Sequence, residues 1–446
     1  MIKRSLRWIA EQTGGKVAQQ FEDVMIDGVS IDSRQLNEGV LFIPFKGENV
    51  DGHQYVAQSL ERGAHASLWQ SDALDMPEGL PIIVVDDTLK ALQAIGKAYL
   101  EEVNPKVIAI TGSNGKTSTK DMVEAVLAPN FKVKKTQGNY NNEIGLPITL
   151  CQLDEDTEIS ILEMGMSGFG EIAFLSELAT PDIAAITNIG ESHMRDLGSR
   201  EGIAKAKFEI IEGLNGPLFY DGDEPLLNDL VAQAKGEFKK IGFNSDNDFY
   251  IHDLQALEKS IAFKVGDAQF SVPTLGAHNA RNATIAIAIG RLLGLSDAVI
   301  NENLTHLHLT NMRMEQIIGI NKARLINDAY NASPTSMRAA IDTIAIMDVP
   351  NKIIVLSDVL ELGPDSQQYH ESVGAYFEGK GIDRLLTVGT EAAHIHAAAK
   401  PFTEAQHFDS KEALEAALLN YLNADTVVLF KASRGMALET IINQCI

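Results

Sequence analysis

The chain has 446 residues, about three times a common domain size, so it has room for two to four domains and is too long for a small stapled module. Hydrophobic residues at 45% and charged residues at 22% exclude a largely disordered, collagenous or membrane-spanning chain. With 37 basic and 61 acidic residues the formal charge is −24, which excludes a broad basic face for nucleic acid and makes any anionic ligand depend on local cations and backbone N–H groups.

Lys3, Arg4 and Arg7 give the first residues positive charge, but Glu11, Gln12 and Lys16 follow before an apolar signal core can form, so we expect a cytoplasmic protein. Cys151 and Cys445 are the only cysteines, which predicts neither a disulfide framework nor a zinc site. An apolar run at 40–45, a helical pattern through Val56 and Leu60, and strand-like runs at 66–69 and 82–85 predict a small α/β unit over residues 1–104. Its last helix, 87–102, should stop at Asn104-Pro105, because the residue before a proline is biased away from helix.

The second block, 105–312, opens on Val107-Ile-Ala-Ile-Thr-Gly-Ser-Asn-Gly-Lys-Thr, a buried strand, a Gly-rich turn and then an amphipathic helix through Val123 and Val126. Two glycines let the backbone curl so that N–H groups face a phosphate chain, and the following helix N-terminus adds its positive dipole end. Lys116 should reach the terminal phosphates, and Thr117 has the hydroxyl that such loops place on Mg²⁺. The usual loop has a glycine where this chain has Ile110, so the match is to a shorter variant. Further buried strands are expected at 159–162 and 183–186. Glu163 and His193 then lie where strands leave the sheet, which is where ligands of a metal-bound nucleotide would come from. In the helical pattern 202–211, Lys205 and Lys207 are two apart and cannot share a face, so one can be solvated while the other turns inward. The run at 283–289 is broken by Arg291 and is far short of the roughly 20 residues of a membrane span.

The last block, 313–446, carries strand candidates at 324–326, 352–356, 384–388 and 426–430 separated by helical segments such as 410–422. That βαβ rhythm predicts a separate doubly wound domain. The fold class is therefore α/β in three domains: a small N-terminal unit, a central mainly parallel sheet of P-loop ATPase type, and a C-terminal Rossmann-like unit.

Six ordered motifs carry a resemblance that spans essentially the whole chain: Thr111-Gly-Ser-Asn-Gly-Lys-Thr, Glu163-Met-Gly, Asn188-Ile-Gly-Glu-Ser-His193, Ala204-Lys-Ala-Lys207, Gly276-Ala-His-Asn-Ala-Arg-Asn282 and Lys431-Ala-Ser-Arg-Gly. Together they resemble the Mur ligase family, ATP-dependent amide-forming enzymes of bacterial cell-wall precursor synthesis. Asn139-Tyr-Asn-Asn-Glu-Ile-Gly-Leu-Pro, Asn327-Asp-Ala-Tyr-Asn-Ala-Ser-Pro and Leu360-Glu-Leu-Gly resemble the branch that adds D-alanyl-D-alanine, whereas the tripeptide-forming branch typically has His-Thr-Pro-Asp where this chain has Asn331-Ala-Ser-Pro. After Glu163-Met-Gly the family often has a polar pair; here Met166-Ser-Gly-Phe-Gly follows.

The resemblance implies ATP and two Mg²⁺ ions, and small-molecule substrates, a UDP-muramoyl tripeptide and D-Ala-D-Ala, handled by a monomer. It implies that Thr111 to Thr117 (Thr111, Gly112, Ser113, Asn114, Gly115, Lys116, Thr117) grip the phosphates, and that His278, Asn279, Asn282, Arg313, Asp328 and Tyr330 contact the nucleotide. Thr117, Glu163, His193 and Lys207 would form the metal sites, Lys207 as a carbamate formed with carbon dioxide, with Lys116, Lys207 and His193 as the catalytic set. Ser33, Arg34 and Lys46 match the uridine diphosphate site; Asn139, Asn141 and Asn142 would face the muramoyl peptide; Asp358, Ser433 and Arg434 would position the dipeptide. Two rivals remain: another ligase of the same family, tripeptide-forming or folylpolyglutamate-type, and a P-loop ATPase switch that performs no ligation.

Overall fold

The computed structural model describes residues 1–47 and 50–446. Three main sheets follow one another along the chain. In the first, Leu41–Phe42, Ala66–Gln70 and Ile82–Val85 run parallel, with Val29–Ser30 parallel at one edge and Lys16–Val17 antiparallel at the other. The helix that follows, Thr88–Val103, begins where the Asp87 carboxylate accepts from the N–H groups of Leu89 and Lys90. It ends on Asn104 in the left-handed conformation (φ 51°), directly before Pro105, as the sequence predicts. This helix packs on Gly145–Cys151, and Gly96 permits the approach: a Cβ there would lie 3.0 Å from the carbonyl oxygen of Pro147. One continuous apolar core, from Ile2, Leu6 and Ile9 through Tyr99 to Leu146 and Leu162, therefore joins the first sheet to one face of the second.

The second sheet has nine strands. Strand β1 (Lys106–Thr111) lies between β2 (Ile159–Glu163) and β3 (Ile183–Ile186), parallel to both. The chain thus moves outward from β1 in both directions, which opens a crevice at the carboxyl ends of these strands, the usual ligand position of open α/β sheets. Helix α1 (Lys116–Leu127) leaves β1 through the Gly-rich turn and packs with α3 (His278–Leu292) on one face; α2 (Arg200–Phe208) lies on the other. The sheet is parallel as far as Phe249–Ala256 and then turns antiparallel through Ile261–Val265 and Ala268–Val272. Sequence patterning misses this ribbon because a bulge between His252 and Gln255, with Asp253 at φ 51°, breaks the alternation that marks a half-exposed strand.

The third sheet orders Glu315–Ile318, Arg324–Asn327, Thr426–Lys431, Asn351–Leu356, Arg384–Val388 and Glu404–Phe408, parallel except for its first strand, with apolar cores on both faces. Helix α4 (Pro334–Ala345) covers the face turned to the second sheet's crevice. Two expectations change here. Glu315–Ile318 and Glu404–Phe408 are additional strands, half-exposed at the two edges, and the helix expected over 410–422 is Lys411–Leu419, after which a turn returns Leu422 to the core. Among the described residues no helix is long and apolar enough to cross a membrane.

Candidate active site

The turn between β1 and α1 is built on glycine for steric reasons. At Gly112 (φ 148°) a Cβ would sit 1.8 Å from Thr187 Oγ1, and at Gly115 (φ 81°) one would meet Asn282 Oδ1 at 2.8 Å. No side chain caps α1 at Gly115, so its first-turn N–H groups are available to an anion. The turn is held in place from the next strand: Ser113 N donates to the Asn188 carbonyl (3.0 Å), Asn114 N to Asn188 Oδ1 (2.9 Å), and Thr187 Oγ1 to the Asn114 carbonyl. Lys116 Nζ curls back onto the Gly112 carbonyl at 2.7 Å, and burial lowers its pKa.

Glu163, at the end of β2, is 4% exposed. Its Oε2 accepts from Thr117 Oγ1 (3.0 Å) and lies 3.6 Å from Lys120 Nζ; its Oε1 accepts from Asn141 Nδ2 (3.0 Å). Thr117 Oγ1 also accepts from Arg313 Nη2 (3.3 Å), and the Arg313 guanidinium stacks 4.2 Å over the Tyr330 ring. His193 adopts a left-handed conformation (φ 63°) after β3. Its Nδ1 is buried and makes no hydrogen bond, although Glu361 Oε2 is 3.2 Å away, outside hydrogen-bond geometry. Burial, then Lys207 and Lys116, lower its pKa and favour the neutral imidazole. Lys205 is exposed while Lys207, on the inward face of α2, is 2% exposed; burial and then Lys116 push its pKa well down.

These groups line a cavity of about 410 Å³. A second, of about 350 Å³, shares Asn114, Gly115, Arg313 and Asn331 with it and continues over α3 to His278, Asn279 and Asn282. Asn282 Nδ2 donates to Asn279 Oδ1 (3.0 Å), and Asn279 Nδ2 to the Leu275 carbonyl (2.7 Å). Asp328 pairs with Lys431 Nζ at 2.5 Å and accepts from Met314 N. The loop is therefore flanked on one side by the amides of Asn279 and Asn282 and on the other by a carboxylate, an imidazole and a buried lysine amine.

That donor set suits Mg²⁺ on a polyphosphate. Among the described residues no group of three His, Cys, Asp or Glu converges to cage a metal by itself. Mg²⁺ needs one or two protein ligands and completes its shell with waters and phosphate oxygens. Glu163, the Thr117 hydroxyl and the orphaned His193 nitrogen meet that requirement.

The remaining expected residues are spread over the molecule. Arg34 is exposed and pairs with Asp32, Nε to Oδ1 and Nη2 to Oδ2, both at 2.9 Å; the Ser33 carbonyl accepts from Arg62; Lys46 is exposed. None of Ser33, Arg34 and Lys46 lines these cavities. Asn141 and Asn142 line the first cavity, while Asn139 is exposed beside it. Ser433 and Arg434 line a third cavity of about 280 Å³ together with Glu191, His193 and Glu361. Asp358 does not; its carboxylate accepts from Ala392 N at 2.8 Å and caps the helix Ala392–Ala399. Sequence reasoning missed Lys120, Glu191 and the Arg281 cluster. Arg281 bridges Asp221 (3.2 Å) and Asp223 (3.1 Å) at the rim of the second cavity, where burial raises the Asp221 carboxyl to about 6. Lys120 sits one helical turn after Lys116, a spacing that could have suggested a second inward cation.

His278 gives a pH prediction. Burial pushes its pKa down to about 4, below the ordinary 6.5, so the ring is neutral at neutral pH. The stability this contributes is fully present above 6.5 and is lost as pH falls through about 4. Replacing His278 with glutamine should flatten the urea-unfolding free energy between those pH values by about 1–2 kcal/mol, allowing for the ring's partial exposure.

Comparisons with known proteins agree along the chain. Residues 25–134 match the model of the Mur ligase family catalytic domain, 110–290 the Mur ligase middle domain, and 312–434 the Mur ligase glutamate ligase domain. The UDP-N-acetylmuramoyl-tripeptide–D-alanyl-D-alanine ligase of Bacillus subtilis (strain 168) is 47% identical, over 100% of this chain and 99% of that protein. The enzyme of the same name from Escherichia coli (strain K12) is 32% identical over 99% and 98%. A crystal structure of MurF from Acinetobacter baumannii superposes with a TM-score of 0.92 at 29% identity, covering 100% of this chain and 99% of that one. MurF ligase from Thermotoga maritima in complex with ADP does so with 0.83 at 28% identity, over 94% and 96%.

Proposed function

The chain belongs to the Mur ligase family, and from that premise we propose that it is an ATP-dependent ligase joining D-alanyl-D-alanine to UDP-N-acetylmuramoyl-tripeptide, with release of ADP and inorganic phosphate. The relatives of that name match over essentially their whole length, which supports the same reaction here. The observation that carries the reading is the uncapped N-terminus of α1 opening on two joined cavities, one sized for a nucleoside, the other holding Glu163, His193 and Lys207.

A carboxylate does not condense with an amine at neutral pH because hydroxide is a poor leaving group. Transfer of the γ-phosphoryl group of ATP to the tripeptide's terminal carboxylate removes that obstacle; the dipeptide amine then attacks the acyl carbon and phosphate departs. Lys116 would exchange the Gly112 carbonyl for phosphate oxygens, joining the α1 amides in stabilising the charge that spreads during transfer. Thr117, Glu163, His193 and a carbamate on Lys207 would hold Mg²⁺, two ions by family resemblance, which supply further neutralisation of phosphate charge. The neutral amine of Lys207 is the form that attacks carbon dioxide, forming a C–N bond and releasing a proton.

Arg313, stacked on Tyr330, and Asp328, paired with Lys431, would close over a nucleotide held by His278, Asn279 and Asn282. Ser33, Arg34 and Lys46 would receive the uridine diphosphate, Arg34 leaving Asp32 to do so. Asn139, Asn141 and Asn142 would face the muramoyl peptide, and Ser433 and Arg434 the dipeptide, with Asp358 shaping that wall through its helix cap. We take 1–104, 105–312 and 313–446 as the working domains of a cytoplasmic monomer, the third swinging to exclude water from the acyl phosphate.

A coupled assay tests the reading. ADP should appear only when UDP-muramoyl tripeptide and D-Ala-D-Ala are both present, with the nucleotide-sugar peptide gaining the mass of the dipeptide less one water. ATP hydrolysis at full rate with neither substrate would favour the switch alternative and overturn the assignment.

A further inference from the structure

Beside the cavity that holds Glu163, His193 and Lys207 lies a shallower depression of about 500 Å³. The two share Asn142, Glu143, Gly165 and Glu171 as a common wall. A peptide whose terminal carboxylate reaches the phosphate loop has its last side chain one bond away, so a depression continuous with the reacting centre is within that side chain's reach. Its floor is apolar: Phe169 is 57% exposed, Phe174 36%, and Leu175 lies beneath. Large aromatic surface left open to water next to a reaction centre is the kind of patch that marks a ligand contact. Phe169 is seated over α2, the helix that carries Lys207, where a Cβ on Gly202 would meet Phe169 Cζ at 3.5 Å.

The rim has a definite charge. Glu143 and Glu171 supply carboxylates, Gln93 and Asn142 supply amides, and no lysine or arginine is among the lining residues. Part of this rim is already committed. Glu171 Oε2 accepts from Ser167 N (2.9 Å), Gln93 Nε2 donates to the Glu143 carbonyl (3.1 Å), and Asn142 Oδ1 accepts from Gly145 N (2.9 Å). Among the described residues the Glu143 carboxylate has no hydrogen-bond or ion-pair partner, and it is exposed.

We propose that this depression takes the side chain of the tripeptide's third residue and selects one ending in a lone ammonium, as lysine does, over one whose terminal carbon also bears a carboxylate, as in diaminopimelate. The inference rests on the ligase reading and adds to it the identity of the acceptor peptide. An alkyl stem lies against Phe169 and Phe174, and the ammonium meets Glu143 and Glu171, with the aromatic faces adding to the attraction. A second carboxylate would face two others with no cation in the lining to receive it, so discrimination comes from repulsion as well as attraction.

The test is steady-state ligation at saturating ATP and D-Ala-D-Ala with three UDP-muramoyl tripeptides ending in L-lysine, its uncharged isostere norleucine, and meso-diaminopimelate. We expect kcat/KM for lysine to exceed that for norleucine about two- to fivefold, the range of a partly exposed charge pair, and to exceed that for diaminopimelate by more. Glu143→Gln and Glu171→Gln, made separately, should each bring the lysine-to-norleucine ratio toward one. Phe169→Ala should lower kcat/KM for lysine and norleucine alike. Equal kcat/KM for all three peptides in the unaltered protein, or a ratio that neither glutamine substitution moves, overturns the inference while leaving the ligase reading intact. No ADP with any peptide would instead sink the ligase reading.

Discussion

Replacing Lys207 with alanine is expected to lower ligation kcat by about 10²–10³-fold, the cost of removing one preorganised electrostatic group from a transition state. The side chain is 2% exposed beside Lys116, and both burial and that neighbour disfavour an ammonium. A lysine buried next to another cation is costly as a structural element, and an aliphatic residue would pack there at lower cost. The amine makes sense as a reagent. Combining with carbon dioxide would turn the amine into an anion in the cavity it shares with Lys116, Arg313 and the N-terminus of α1. A short carboxylic acid such as formate or acetate, diffusing into the space the alanine leaves, should restore part of the lost rate, because it returns an anionic oxygen to the same place. Degassed, bicarbonate-free buffer should slow the unaltered protein and leave the variant unchanged. Nucleotide-induced thermal stabilisation, measured in parallel, separates a lost reagent from a lost fold. Full activity in Lys207→Ala would reject the role.

The parts of this site legible in sequence are those whose geometry is local or follows from parallel strands. Gly112, Gly115 and Lys116 announce themselves because strand, turn and helix are contiguous, and Glu163 and His193 because the last residue of a central parallel strand, or the loop that follows one, must emerge at the carboxyl edge of the sheet. Lys207 and Lys205 separate by helical phase alone. What stayed hidden depends on partners distant in the chain. Asp358 looks like a free loop carboxylate until the helix at 392 is seen to end on it, and Arg34 looks available until Asp32 folds back to it. Glu191 lies inside a motif already noted for His193, yet its partners are 144 and 147 residues away. The ribbon at 249–272 escaped for a different reason: its alternation fails at a bulge, so periodicity carries no signal there.

Glu191 accounts for the second large effect expected. It is 6% exposed, on the loop between β3 and His193, and it reaches into the third sheet's territory. Oε2 accepts from Thr335 N (3.1 Å), and Oε1 from Thr335 Oγ1 (2.8 Å) and Arg338 Nη2 (3.0 Å), so one carboxylate binds the first turn of α4 where the helix dipole favours an anion. Ser333, which caps α4, donates to Asn114 Oδ1 on the phosphate loop (3.1 Å), and Arg195 N donates to the Glu361 carbonyl (3.2 Å). The loop bearing His193 is thus gripped from both ends by the C-terminal unit, so the proposed closure of the third sheet over a nucleotide would place the imidazole in the same event. Removing this buried carboxylate leaves Thr335 N without its acceptor, while Arg338, 28% exposed, keeps Ser372 Oγ; the cost of about 1–3 kcal/mol is enough to shift a closed population toward an open one. Glu191→Ala should therefore lower kcat by roughly 10²-fold, with a larger radius of gyration by small-angle scattering in the presence of ATP analogue. Glu191→Gln should lose less, since its amide oxygen still accepts from Thr335 N. A variant that stays as compact as the unaltered protein and keeps its kcat would show that closure is held elsewhere, with the contact at Arg313 and Tyr330 the next to test.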